Sequence, residues 1–180
     1  MAAFTHEEIE RILKNIRSQN MMAQFVEKKE DVLPAVKALL KEGDVVCNGG
    51  SMTLGQTGVL EMLKTSPAYE YLDISGDKTE EEKEELLRRR FTADVLLASA
   101  NAILKTGEIY QVDGISTRVA PMLFGPKSVI IVAGVNKLVD DLPAAVARVR
   151  ETVAPIIAAR MAPDAPCAKL GHCVAVGKEI

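Results

Sequence analysis

Between Thr5 and Ser18 the apolar positions Ile9, Ile12, Leu13 and Ile16 recur at i, i+3, i+4 and i+7. That is the stripe of an amphipathic helix, and Thr5 with Glu8 three residues on supplies a capping box at its start. Met21 to Val26 fits either a short edge strand or a continuation of that helix. A second helix is expected from Asp31, with Leu33, Val36, Leu39 and Leu40 as its stripe and Gly43 as its stop. The short apolar run Asp44 to Cys47 reads as a buried strand, and Val59, Leu60, Met62 and Leu63 mark a helix. Tyr69 to Ile74 alternates and is rich in strand formers. Thr79 to Phe91 is a charged helix, acids first and Arg88-Arg89-Arg90 last, an order that suits the helix dipole. That charge run is expected to be a solvated face.

Asp94 to Ala98 and Ser128 to Ala133 read as further strands, the second holding Val-Ile-Ile-Val. Ile103-Leu104 and Ile109 to Val112 flank Thr106-Gly107 as a hairpin. Val119 to Phe124 fits a short helix. Leu142 to Met161 is a long one, in which Pro143 suits the first turn and Pro155 should kink or end it. Alternating strands and helices predict an α/β fold, with a mostly parallel, Rossmann-like sheet covered by helices on both faces. No repeat or linker divides the chain, so 1–180 is expected to be one domain, with a loose cysteine-containing tail from about 162.

Composition narrows the function. At 180 residues and 48% apolar the chain can bury a sizeable core, and a net charge of −3 gives no basic footprint for nucleic acid. Aromatics are only 4%, too few for a base-stacking surface. No apolar run approaches the ~20 residues that span a bilayer, and the acidic start, Thr5-His6-Glu7-Glu8, does not resemble a signal peptide. Three irregularly spaced cysteines suit a reducing compartment, so a cytoplasmic location is expected.

In open parallel sheets, ligands bind outside the carboxyl ends of strands. Three of the expected strands hand over there to small, hydrogen-bonding residues: Asn48-Gly49-Gly50-Ser51-Met52-Thr53, then Ser99-Ala100-Asn101, then Gly134-Val135-Asn136-Lys137. Asn48 to Gly58 carries no charge but is rich in glycine and hydroxyl groups, a composition that fits an anion cradle or simply a tight turn. It is neither a Walker loop nor Gly-x-Gly-x-x-Gly. Asp113-Gly114 opens a segment ending at Arg118, whose planar fork can clamp a carboxylate or phosphate. Asp113 is the one candidate catalytic base, or else the cap of its turn. Lys137 offers a point charge. Cys167, His172 and Cys173 are three local metal-ligand types where a site usually takes four, so no metal is expected; Cys47 reads as a small buried hydrophobe.

Ser99-Ala100-Asn101-Ala102-Ile103, Gly107 to Gly114, Arg118-Val119-Ala120, Phe124-Gly125-Pro126-Lys127 and Val132 to Val139 together resemble the LUD-domain, or lactate-utilisation, family. Asn48 to Ser51 with Thr53-Leu54 and Gly58 resembles its upstream motif, and Pro166-Cys167-Ala168-Lys169 with Gly171 and Cys173 its C-terminal signature. The resemblance implies a fold like that of the ribose-5-phosphate isomerase, glucosamine-phosphate deaminase and CoA-transferase superfamily, whose Gly-rich turn commonly holds a phosphate or CoA-like anion. It implies a small anionic ligand, and work beside iron–sulfur subunits in oxidising lactate to pyruvate. It leaves the cofactor unknown, and a homo-oligomer stays open. Where sugar-phosphate isomerase relatives place an acid this chain has Asn101, which orients a carbonyl but is no proton shuttle. Three readings follow: an accessory protein binding a small carboxylate or anion, an isomerase or CoA/acyl-transfer enzyme with Asp113 as base, or a subunit docking a redox partner through its C-terminal cysteines.

Overall fold

A computed structural model describes residues 4–175. The chain is α/β and forms two compact units, one from the described parts of 1–25, 100–112 and 134–180, the other from 26–99 and 113–133.

The second unit holds a four-stranded, wholly parallel sheet. Its strands are β1 (Val45–Asn48), β2 (Glu70–Tyr71), β3 (Val95–Ala98) and β6 (Ser128–Ile131), in the order β2-β1-β3-β6. Strand side chains alternate between faces, and both faces here are covered. Val46, Val95 and Leu97 pack with Val36 of α2 (Val32–Lys37), Leu54 of α3 (Met52–Gln56), and Val59, Met62 and Leu63 of α4 (Val59–Thr65). Cys47 and Leu96 face the other way, with Leu86 of α5 (Glu80–Arg89) and Met122 of α6 (Val119–Leu123) beside them. This two-sided burial is why β1 and β3 read as continuous apolar runs. A capping box of Thr79 and Glu82 starts α5.

The first unit carries α1 (His6–Ser18), capped by Thr5 and Glu8 as expected, and a three-stranded sheet of β4 (Ala102–Leu104), β5 (Ile109–Tyr110) and β7 (Leu138–Val139), in the order β5-β4-β7. β4 and β5 form the expected hairpin. Gly107 at its turn has φ 107°, and a Cβ there would lie 2.7 Å from the Asn15 carbonyl, so only glycine fits. The long helix runs as α7 (Leu142–Arg148), a π turn over Val149–Val153, and α8 (Ala154–Met161); a short α9 (Pro166–Leu170) follows. The Ala154 N–H bonds five residues back to the Val149 carbonyl. The π turn thus sits where Pro155, lacking an N–H, breaks the ordinary ladder, so the helix is re-registered and not ended.

Two expectations are corrected and one strand is new. Met21 to Val26 is neither strand nor helix. Asn20 at φ 60° leaves the helix, and Arg17 donates from Nε and Nη2 to the Ala23 carbonyl, tying the segment to α1 from outside any sheet. The strand expected over Tyr69 to Ile74 shrinks to Glu70–Tyr71, and Leu138–Val139, unassigned in the sequence, pairs parallel with β4. Among the described residues no helix is long and apolar enough to cross a membrane.

Candidate functional site

Strand order places the site. From β1 the chain crosses to β2 on one side and then to β3 on the other, so the direction of winding reverses between β1 and β3. At such a switch point the carboxyl ends of two neighbouring parallel strands part and leave a crevice. The residues there are Asn48 at the end of β1, Gly49 after it and Ser99 after β3, with the Gly49 N–H donating to the Leu97 carbonyl at 2.9 Å.

Asn48 is buried and doubly engaged. Its Oδ1 accepts from the Tyr71 hydroxyl at 2.8 Å, and its Nδ2 donates to the Gly49 carbonyl at 3.2 Å. Burial, and the nearby Asp73 carboxylate, push the Tyr71 phenol well above its ordinary value, so it remains a hydrogen-bond donor. Ser51 caps α3 by accepting from the Leu54 N–H, and Ser99 Oγ donates to the Val132 carbonyl at 2.6 Å. Thr53 is half-buried one turn on.

Arg118 crosses this edge. A Cβ on Gly49 would lie 2.5 Å from Arg118 Cγ and 2.8 Å from Cδ, so the bare glycine is what lets the arginine stem lie on the backbone. Gly50, beside it, has open space. The guanidinium reaches the Ser99 carbonyl through Nη1 at 3.4 Å. Desolvation lowers its pKa and Asp113 opposes the shift, so the cation persists at any ordinary pH.

Asp113 supports that arginine from behind. Its Oδ2 accepts the backbone N–H groups of Arg118 and Val119 at 2.9 and 3.0 Å, closing the loop that begins at exposed Gly114. Of its two expected roles, this geometry is that of the turn cap.

Arg90 is the residue that sequence reasoning missed. Arg88 and Arg89 are exposed, as the solvated-face expectation has it, but Arg90 is 2% exposed. Its Nη1 donates to the Thr117 carbonyl at 3.1 Å, and its Nε has no hydrogen-bond partner among the described residues. Desolvation lowers its pKa, against the pull of Cys47, Tyr71 and Asp113 around it. Cys47, fully buried as expected, has its thiol pushed up to about 11 by burial and is no nucleophile at neutral pH. A signal for Arg90 existed: it stands four residues after Leu86, just past the end of α5 and in line with the face that meets the sheet.

The remaining candidates belong to the first unit. Asn101 Oδ1 accepts the Val112 N–H at 2.7 Å, and its carbonyl accepts from Arg148 Nε at 3.0 Å, so Asn101 ties the hairpin to α7. Asn136 is exposed and Lys137 half-buried, both in a 3-10 turn over Val135–Lys137. Cys167 is half-buried in α9, His172 is exposed, and Cys173 is buried with its N–H on the Arg150 carbonyl at 2.7 Å. Among the described residues no three metal-ligating side chains come together.

The sequence model of the LUD domain matches residues 9–178. The chain belongs to the LUD-domain family. The match takes in the Gly-rich turn, the Asp113–Arg118 loop, the 134–137 turn and the C-terminal cysteines, so both units are part of the LUD domain. No curated protein matches the sequence. In this LUD domain the switch point brings together the Gly49 backbone, the Ser51 and Ser99 side chains and the Arg118 guanidinium. A guanidinium fork has the geometry to pair with a carboxylate or phosphate.

Proposed function

We propose that this LUD domain is a lactate-utilisation-type protein that binds a small carboxylate or phosphate-bearing ligand at the switch point, between the Asn48–Ser51 turn and Arg118. The observation that carries the reading is the fit of the Arg118 stem over Gly49. It sets a cationic fork, whose geometry matches a carboxylate or phosphate bidentately, beside bare backbone where the sheet reverses its winding. Ser51, Thr53 and Ser99 supply hydroxyls nearby, and Asp113 and Arg90 hold the loop that carries the fork. Family membership supports placing that ligand in the oxidation of lactate to pyruvate, beside iron–sulfur partner subunits.

Thermal shift with lactate, pyruvate, a sugar phosphate and CoA at matched ionic strength tests the reading, since a ligand of the folded state raises stability by mass action. At least one should raise the melting temperature of the wild type and not of Arg118→Ala. No shift with any of them, or equal shifts in both proteins, contradicts it.

A further inference from the structure

One face of the parallel-sheet unit bears an apolar patch with charged residues set into it. Glu84, Leu87, Arg88 and Phe91 stand at i, i+3, i+4 and i+7 on α5 and the turn after it, and form one wall of a shallow groove. Ile115, Ser116, Thr117 and Ala120 form the other wall. Ile115 is 80% exposed, and Leu123 and Phe124 at the end of α6 are 82% and 83% exposed. Scattered single hydrophobics are normal on a surface, whereas large ones grouped with a groove mark an interaction site. The backbone just after Phe124 packs on the groove: Gly125 at φ 123° lies so close to Phe91 that a Cβ would sit 2.6 Å from the Phe91 carbonyl oxygen. Phe124 thus stands next to the Phe91 end of the groove, exposed.

The charges name the occupant. The first part of α5 is acidic (Glu80, Glu81, Glu82, Glu84, Glu85) and its last turn is basic (Arg88, Arg89). A helix divided in this way is complementary to itself when antiparallel, because a two-fold axis near its middle sets Glu84 of one copy against Arg88 of the other, and the reverse. A closed two-fold pair presents the same patch from both sides, which is what a single self-complementary surface requires. We infer that this face is a homodimer interface, in which α5 packs antiparallel against α5 of a second copy of the chain and Phe91, Ile115, Leu123 and Phe124 form its apolar flanks.

Sedimentation equilibrium over a concentration series tests this. The full chain should sediment at twice its 19.5 kDa, and Leu123→Ser with Phe124→Ser should sediment as a monomer. Glu84→Arg and Arg88→Glu should each weaken association about tenfold or more by setting like charges together. Mixing those two variants should restore a heterodimer, since every facing pair is then opposite in sign. Breaking the Glu84–Arg88 ion pair within one helix cannot produce that rescue, so it separates the interface from a local folding effect. A 19.5 kDa particle at ~100 μM, well above the Kd of a weak but specific dimer, overturns the inference. So does a dimer indifferent to these substitutions, or a mixture that stays monomeric.

Discussion

Two turns of this chain look alike in sequence and differ in construction. Asn48-Gly49-Gly50-Ser51 closes the buried strand β1 and Gly134-Val135-Asn136-Lys137 follows the partly exposed strand β6, and each brings glycine, asparagine and a hydrogen-bonding side chain to a strand's carboxyl end. In the first, Gly49 is buried under the mid-stem of Arg118, Asn48 is held by Tyr71, and the arginine's own loop is fixed by Asp113 and Arg90. In the second, Gly134, Val135 and Asn136 are exposed, and a Cβ on Gly134 would meet only the tip of the Asn136 side chain, Oδ1 at 2.8 Å. A rigid, over-determined turn can hold a ligand group in one place, whereas an exposed one reorganises at little cost. Composition alone does not distinguish the two; what packs behind each does.

Stability measurements can break that comparison. Arg90→Ala should do most harm, about 3–4 kcal/mol in urea unfolding, because it orphans the Thr117 carbonyl and removes the buried cation facing Asp113. Gly49→Ala should cost about 1–3 kcal/mol, since the added methyl meets Arg118 Cγ and Cδ, which move only if the whole stem does. Asp113→Ala follows at about 1–2 kcal/mol for two lost backbone caps. Gly50→Ala and Gly134→Ala should both stay within ~0.5 kcal/mol, having open space and a movable side-chain tip respectively. If Gly49→Ala is as mild as Gly50→Ala, the first turn is not the rigid one.

A smaller effect sharpens the picture of the opposite edge of the parallel sheet. Asp94 accepts from Lys127 at 2.6 Å and from the Val45 N–H at 2.8 Å, and these bonds, Lys127 first, hold its carboxyl below the ordinary value. A folded-state pKa depressed in this way adds stability above the unfolded value, near 3.8, and loses it as pH falls through the lower folded value. Asp94→Asn should therefore be less stable near neutrality and show a flatter acid limb. An acid limb as steep as the wild type's assigns the loss to other carboxylates.

How much of this was legible depended on how local each cause is. Capping residues and helix stripes act within one turn, so α1 and α5 began where Thr5 and Thr79 put them. Two-sided burial made β1 and β3 visible as apolar runs, and the parallel sheet followed from their alternation with helices. The two-residue strand Leu138–Val139 has no period of its own and exists through its pairing with β4. The π turn ahead of Pro155 combines two sequence-level options, a kink or an end, into a third that depends on tertiary support. At the candidate site, the Gly-rich turn and Arg118 were visible as residue types, but that Gly49 and not Gly50 receives the arginine is a matter of distance. Arg90 was hidden in a run of three arginines, where charge says surface and only the helical phase from Leu86 says core.

Isothermal titration of phosphate and pyruvate into the wild type, Arg118→Ala and Asn136→Ala tests the central claim most directly. Binding at the Gly49–Arg118 turn predicts that one of these anions binds the wild type, with affinity at least ~10-fold lower in Arg118→Ala, the loss of about one charge-assisted contact. The same account predicts little change in Asn136→Ala. Unchanged affinity in Arg118→Ala, or no binding of either anion to the wild type, contradicts it.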